Sequence, residues 1–463
     1  MARSLGLFLL PIYTTYLSPA DYGKFSILGI ILDMSMLLLG LQLPQAVYKF
    51  WADARDRNEQ RQIIGTVMWL SVVLSTLIFI PVYLWAEGFV TILGLPGDAH
   101  LLRLILFESQ LGLIVGVIMA EMRACDASTK FALWEVLQTL SMGLLSVVLV
   151  SIFGWGLWGM FGGQVLVLLA MCCILFPSFI KRNKFIINKV LCRQLLGYSL
   201  PLIPAGVAMT ALHMADRFFL QHMVGIDITG LYAIGYKFGM IVNVIVTGPF
   251  FLIWHPRRFI IAQKQNASVE FGEIFTYVLI ASSTVALALT GMRHEIVELM
   301  TAPQYIESVS VVPLVAWGYV LFTLSSVVNV GLFVHKKTGI FLWITILAFG
   351  VNCIGNYFLI LRFGHNGAAL STLVSFFMFF LLNWLFAKKY MSIAFEWKKI
   401  VQLGILVVGA TWGMAQVSSH SLIISILGKV LILSLFLFAM FRIGFFVRMR
   451  LGERAKTLLP WLQ

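Results

Sequence analysis

Charge is scarce in this chain. Of its 463 residues only 11% are Asp, Glu, Lys or Arg, while 60% are hydrophobic, far outside the range of a soluble domain. Cysteine is scarce too. The five present, Cys125, Cys172, Cys173, Cys192 and Cys353, show no metal-ligand spacing and read as free thiols, which argues against a disulfide framework and a metal centre. A Walker A phosphate loop is missing, so ATP does not drive the chain directly. No nucleophile elbow or paired-carboxylate site lies on an outer loop, which removes the commonest reasons to expect an enzyme. The first apolar run lacks a basic leader with a small-residue cleavage site, so no cleavable signal peptide is expected. No interval between apolar runs is long enough for a separate soluble domain. Whatever this protein does, it does inside or across a membrane.

What the chain does contain is long apolar runs. A membrane helix needs about 20 apolar residues, and the sequence reads as about 14 spans: 2–17, 23–50, 63–86, 101–120, 132–153, 157–180, 198–222, 229–253, 273–292, 309–334, 340–361, 367–387, 399–417 and 421–446. The cations fall in alternate gaps. Seven places (49–61, 123–130, 181–193, 257–264, 336–337, 388–399 and 448–456) hold 24 of the 33 Lys and Arg residues, whereas the intervening gaps hold only Lys24, Arg103, Arg293 and Arg362. Lys and Arg stay on the cytoplasmic side because carrying them across is costly. The alternation therefore predicts a polytopic membrane protein with both termini in the cytoplasm. It also accounts for most of the net charge of +13 without nucleic acid as a partner.

Sliding the chain on itself by 207 to 210 residues brings landmarks together. Gly23 meets Gly230, Lys130 meets Lys337, and the Phe153-Gly154 turn meets Phe363-Gly364. The shift equals six spans, an even number, so the copies share an orientation and imply a parallel repeat. This predicts an all-α fold of two six-helix lobes, 1–180 and 198–387. A basic linker, 181–197, joins them, and two further helices with a tail occupy 388–463. By the repeat the first span looks clipped: either the start lies upstream or the lobe opens on a shortened helix. The Pro19 and Gly23 pair reads as a hairpin turn.

The segments Tyr198-Ser199-Leu200-Pro201-Leu202-Ile203-Pro204, Asp216-Arg217-Phe218 and Gly230-Leu231-Tyr232-Ala233-Ile234-Gly235-Tyr236-Lys237 resemble the central signature of the polysaccharide-transporter family. That family includes the Wzx-type O-antigen flippases of the multidrug/oligosaccharidyl-lipid/polysaccharide exporter superfamily. The opening Leu10 to Gly23 is similar to that family's first hairpin, and Gly364 to Ser371 to the turn into its twelfth span. The resemblance implies a non-enzymatic flippase that moves an undecaprenyl-diphosphate-linked oligosaccharide by alternating access around a central cavity, for lipopolysaccharide or another surface polysaccharide. It implies no cofactor, and a polysaccharide polymerase with its chain-length machinery as partners. The alternatives are a multidrug antiporter or lipid II flippase of the same superfamily, or a membrane-embedded polymerase or glycosyltransferase.

Charges inside spans need a partner, water or a function. Arg217 and Lys237 are the candidates for a cationic wall receiving a diphosphate or an acidic sugar, with Arg3 as a candidate on the inner side or a mere helix anchor. Asp216 reads as either a structural ion-pair partner locking two adjacent helices or a coupling group. Asp33, Glu108 and Glu135 are candidates for proton coupling or for neutral helix contacts. Lys429 is expected to snorkel to the outer surface, and His213 and His222 to pack rather than ligate.

Overall fold

The structure, a computed structural model, describes residues 6–125, 127–183, 188–417 and 421–443. They form helices in the order α1 Leu10–Tyr16, α2 Pro19–Leu39, α3 Leu43–Asp53, α4 Arg57–Leu84, α5 Ala86–Ile92, α6 Ala99–Ala124, α7 Ser128–Ser151 and α8 Gly156–Arg182. There follow α9 Lys189–Ser199, α10 Ile203–Met214, α11 Asp216–Met223, α12 Ile226–Gly239, α13 Gly248–Ile261, α14 Ala267–Gly291 and α15 Arg293–Met300. The last six are α16 Val311–Val328, α17 Val330–Val334, α18 Thr338–Phe363, α19 His365–Ala387, α20 Trp397–Gln416 and α21 Leu422–Arg442. No strand occurs among the described residues. The protein is an all-α, multi-pass membrane protein.

Among the described residues, twelve helical stretches are long and apolar enough to cross a membrane. Of the expected spans, the first, whose residues 2–5 lie outside the described residues, and the thirteenth are not among them. α1 has only 7 residues. α20 has 20 but opens on Lys398 and Lys399 and carries Gly404, Gly409 and Gly413. The gaps left between the expected spans at 87–100 and 293–308 are themselves largely helical: α5 lies in the first, and α15 with a 3-10 turn at Pro303–Ser310 in the second.

By contact the chain gathers into two units, Met1–Lys237 with Met300–Val311 and Leu342–Met378, and Phe238–Leu299 with Val312–Phe341 and Phe379–Gln463. The lobes expected from the sequence follow chain order; these units follow packing. In the first unit α6 is the central helix, packed on α2, α4 and α8, with Leu102, Ile105, Val117 and Ile118 buried along it. Lipid is as apolar as these side chains, so helices associate here through close packing rather than dehydration. Small residues permit it: Gly163 sits on Ser146, whose hydroxyl donates to the Met160 carbonyl at 3.0 Å.

Pro19 and Gly23 do not close a turn. Ser18 caps α2, its hydroxyl accepting from the Asp21 N–H at 3.1 Å while the Asp21 carboxylate accepts from the Ser18 N–H at 3.2 Å, and Pro19 occupies the first turn where its missing donor is harmless. Gly23 therefore lies within the helix, and its role is contact. A Cβ there would strike the Ile226 carbonyl, and one on Gly230 the Pro19 carbonyl. Residues 19 and 23 stand 207 before 226 and 230. The contact is thus reciprocal: each repeat's glycine receives the other's helix start, as a two-fold relation demands.

The second unit has its own core of Ile280 and Leu287 on α14, Leu403 and Met414 on α20, and Phe436 and Met440 on α21. Gly291 leaves room for the Met414 side chain. Further along, the Trp254 indole N–H donates to the Ser326 carbonyl at 2.8 Å, and the Arg258 guanidinium lies 4.0 Å from the Phe333 ring centroid.

Candidate functional site

α10 and α11 meet at Ala215, and α11 opens on Asp216 and Arg217. Both side chains turn inward, at 1% and 7% exposure. The Asp216 carboxylate collects four donors. Oδ1 accepts from the Arg217 N–H at 2.9 Å and from Arg217 Nη1 at 3.2 Å; Oδ2 accepts from the Thr372 hydroxyl at 3.3 Å and, closer, from the Tyr232 hydroxyl. Arg217 Nη1 also donates to the His213 carbonyl at 3.2 Å, and its guanidinium stands 4.3 Å from the Tyr236 ring centroid. Buried charges persist only when paired and hydrogen-bonded. This one ties three helices together: α11, α12 through Tyr232 and Tyr236, and α19 through Thr372.

Lys237 follows Tyr236 on α12 but points elsewhere, since successive helical residues are about 100° apart. Its Nζ donates to the Tyr22 hydroxyl on α2 at 2.8 Å and approaches the Gly6 carbonyl at 3.5 Å. Both partners are neutral, and among the described residues no carboxylate forms an ion pair with it. Tyr22 lies edge-on to Tyr305, 6.2 Å between centroids, and the Tyr305 hydroxyl donates to the Leu17 carbonyl at 2.9 Å. Arg217 and Lys237 are thus engaged separately: the first in a compensated pair, the second, among the described residues, by dipoles.

The remaining candidates scatter. Arg3 lies outside the described residues. Glu108, on α6, is 3% exposed; its Oε2 has no hydrogen-bond partner among the described residues, and Asp33 on α2 is its electrostatic neighbour. Asp33 and Glu135 are exposed on the surfaces of their helices, and Glu135 stands on α7, apart from the Asp33–Glu108 pair. His213 packs edge-on against Phe376 at 5.1 Å, and the His222 ring lies 2.9 Å from the Phe218 carbonyl. None of the five cysteines forms a disulfide. No group of three His, Cys, Asp or Glu is placed to hold a metal among the described residues.

Lys429 does not snorkel. It is 6% exposed on α21, and its Nζ donates to Glu295 Oε1 at 2.5 Å, an oxygen that also accepts from the Ser425 hydroxyl at 2.5 Å. A buried carboxylate one helix away competes with the bilayer surface for the ammonium. Burial raises the pKa of Glu295, which lies on α15 outside the spans, but the hydrogen bonds from Lys429 and Ser425 outweigh it and hold the carboxyl below its ordinary value.

The sequence reading missed Tyr22, Tyr232, Tyr236, Thr372 and Glu295. For the tyrosines a signal exists: 232 and 236 share a helix face at i, i+4 beside a membrane cation. Thr372 and Glu295 leave no such trace, for each meets its partner from 130 or more residues away in the chain.

The family model described as "Polysaccharide biosynthesis protein" matches residues 1–259. The succinoglycan biosynthesis transport protein ExoT of Rhizobium meliloti (strain 1021) is 22% identical over 240 residues, 51% of this chain and 46% of that protein. The match thus spans about half the length of that curated relative. Among solved structures, the lipid II flippase MurJ in an inward closed conformation superposes with a TM-score of 0.76 at 15% identity, covering 95% of this chain and 97% of that one. An inward-facing multidrug resistance MATE family transporter of the MOP superfamily gives 0.64 at 14% identity, covering 84% and 94%. At such identities these two show the fold alone.

Proposed function

The chain belongs to the polysaccharide biosynthesis protein family, and from that premise we propose that it flips a lipid-diphosphate-linked oligosaccharide across the bacterial cytoplasmic membrane for a surface polysaccharide. The observation that carries the reading is Lys237, a cation within a membrane helix whose contacts among the described residues are a tyrosine hydroxyl and a carbonyl and not a carboxylate. Holding it there is costly unless an anion or water meets it. A diphosphate between lipid and glycan carries its charge at one fixed point, so compensating cations are what its passage requires.

In this proposal Lys237 receives the diphosphate. Arg217, with Asp216 and the Tyr236 ring as its partners, holds the helices in register and joins the anion only on leaving Asp216. Arg3 serves the inner side, and Asp33, Glu108 and Glu135 are the coupling candidates. Alternating access moves the load, no cofactor takes part, and a polymerase with its chain-length machinery accepts the product. The relative named for succinoglycan transport supports a secreted or surface glycan as the destination.

The test is complementation of a strain lacking its own polysaccharide flippase, with the lipid-linked intermediate followed by mass spectrometry. Expression should clear the accumulated intermediate, and Lys237→Gln at matched expression should restore it with either of two unrelated repeat units. Clearance by the wild type that Lys237→Gln leaves intact removes Lys237 from the site. Failure of the wild type with every glycan tried, against rescue of a lipid II flippase strain, moves the substrate to lipid II.

A further inference from the structure

Helix ends in the first unit enclose a cavity of about 380 Å³ lined by Arg57, Gln60 and Arg61 of α4, Glu121 of α6, and Arg182 and Asn183 at the end of α8. The positive-inside alternation places this end in the cytoplasm. The sequence marks these arginines only as members of basic gaps; their convergence is a product of the fold.

Three guanidiniums face one carboxylate, and that carboxylate is already engaged. Glu121 is 6% exposed, Oε1 accepting from Asn183 Nδ2 at 2.9 Å and Oε2 from Arg182 Nη2 at 3.2 Å. This pair fixes one wall and cancels one positive charge, leaving a net +2 carried by Arg57 and Arg61. Neither forms an ion pair among the described residues. The nearest acids of that turn are committed to backbone: Asp56 accepts from the Glu59 N–H at 2.8 Å and Glu59 from the Arg55 N–H at 2.8 Å.

Arg57 and Arg61 stand one turn apart on one helix face, where like charges repel. They also occupy the first turns of α4, where the helix dipole favours anions over cations. The helix gains nothing from two arginines in these positions. A multiply charged anion between them reverses both penalties, because guanidinium forks bind phosphate oxygens bidentately and the helix N-terminus adds its own field. Gln60, between them in sequence, contributes an uncharged donor.

We propose that this cavity is a binding site for a phosphate-bearing group, a diphosphate or a phosphomonoester, separate from Arg217 and Lys237. It stands whether or not those residues hold a transported diphosphate. The same chemistry is offered by a lipid diphosphate headgroup reaching over from the inner leaflet and by a soluble phosphate compound, so both serve as probes.

The experiment uses the full chain in nanodiscs of phosphatidylcholine, with binding of inorganic pyrophosphate and of farnesyl diphosphate measured by calorimetry. Wild type should bind at least one of them, more weakly as salt is raised. The Arg57→Gln/Arg61→Gln double variant should lose about tenfold or more in affinity with the unliganded thermal midpoint unchanged, both side chains being exposed. If the double variant fails to fold, Arg61→Gln alone carries the same expectation. Farnesyl diphosphate binding the tighter assigns the site to a lipid headgroup, and equal affinities assign it to a soluble phosphate. Absence of binding by the wild type, or affinity that survives the double variant while falling in Lys237→Gln, overturns the proposal.

Discussion

Asp216 and Arg217 should part company on mutation, because one is wholly enclosed and the other has a second environment in Tyr236. Asp216→Asn removes the charge that balances Arg217 while keeping the side-chain volume, and an unpaired buried guanidinium costs about 3–5 kcal/mol. The expected result is a loss of folded protein, read by detergent-solubilised yield and thermal midpoint. Tyr232→Phe removes one donor to the same carboxylate and should cost less, about 1–3 kcal/mol. Arg217→Lys keeps the charge but not the planar fork, so it should fold and lose transport; normal transport by Arg217→Ala at wild-type expression would exclude it from the transport step. The charges themselves were legible in the sequence, standing as they do inside apolar runs. Their partners were not. Tyr and Thr are ordinary residues in a membrane helix, and which of them meets Asp216 depends on how α11, α12 and α19 are rotated about their axes.

Between elements, two contacts carry predictions. At the crossing of α2 and α12, Gly23 and Gly230 each admit the other helix's backbone, so Gly230→Ala forces the helices apart and should destabilise by about 1–3 kcal/mol. Gly23→Ala should do the same for the same reason. A normal thermal midpoint in both would mean the crossing has slack. In the second unit, Glu295 joins α15 to α21 through Lys429. Its carboxyl is held below the ordinary range, so its contribution is present above the unfolded pKa and is lost as pH falls through the lower, folded one. Acid unfolding followed by circular dichroism should therefore begin at higher pH in Glu295→Gln than in wild type, and in Lys429→Met as well. Identical acid transitions would show that the pair adds nothing. The sequence marked Gly23 and Gly230 as equivalent by their 207-residue spacing, and the structure gives that spacing a physical meaning as a reciprocal contact. It gave no sign of the Lys429 partner, because hydropathy treats a lysine near a span end as a lone charge.

For the whole molecule the prediction is topological. Alternation of the basic gaps places Asp98 and Glu307 outside and Lys189 and Lys337 inside. Reporter fusions after the first two should read as periplasmic and after the last two as cytoplasmic; a cytoplasmic signal at either of the first pair breaks the orientation. Within the structure, Lys24 and Asp98 form an ion pair at 2.8 Å; both are expected on the outer side.

Hydrophobicity and charge are local sums, and the chain by itself determined membrane class and where most spans run, which depend on such sums; it predicts in the same way which gaps share a side and a six-span repeat. Its count of 14 spans stands beside twelve helices among the described residues that meet the length and hydropathy of a span, with the short α1 and the glycine-rich α20 outside that set. Contacts are different. Whether Lys237 meets Tyr22, whether Lys429 finds Glu295 rather than the bilayer surface, and whether Arg57, Arg61 and Arg182 surround one cavity depend on helix rotation at about 100° per residue and on the depth at which helices cross. Neither quantity is written in any single segment. Tertiary structure decided them because, in a solvent as apolar as the side chains, close approach of backbones and satisfaction of buried charge select among helix arrangements that hydropathy alone leaves equivalent.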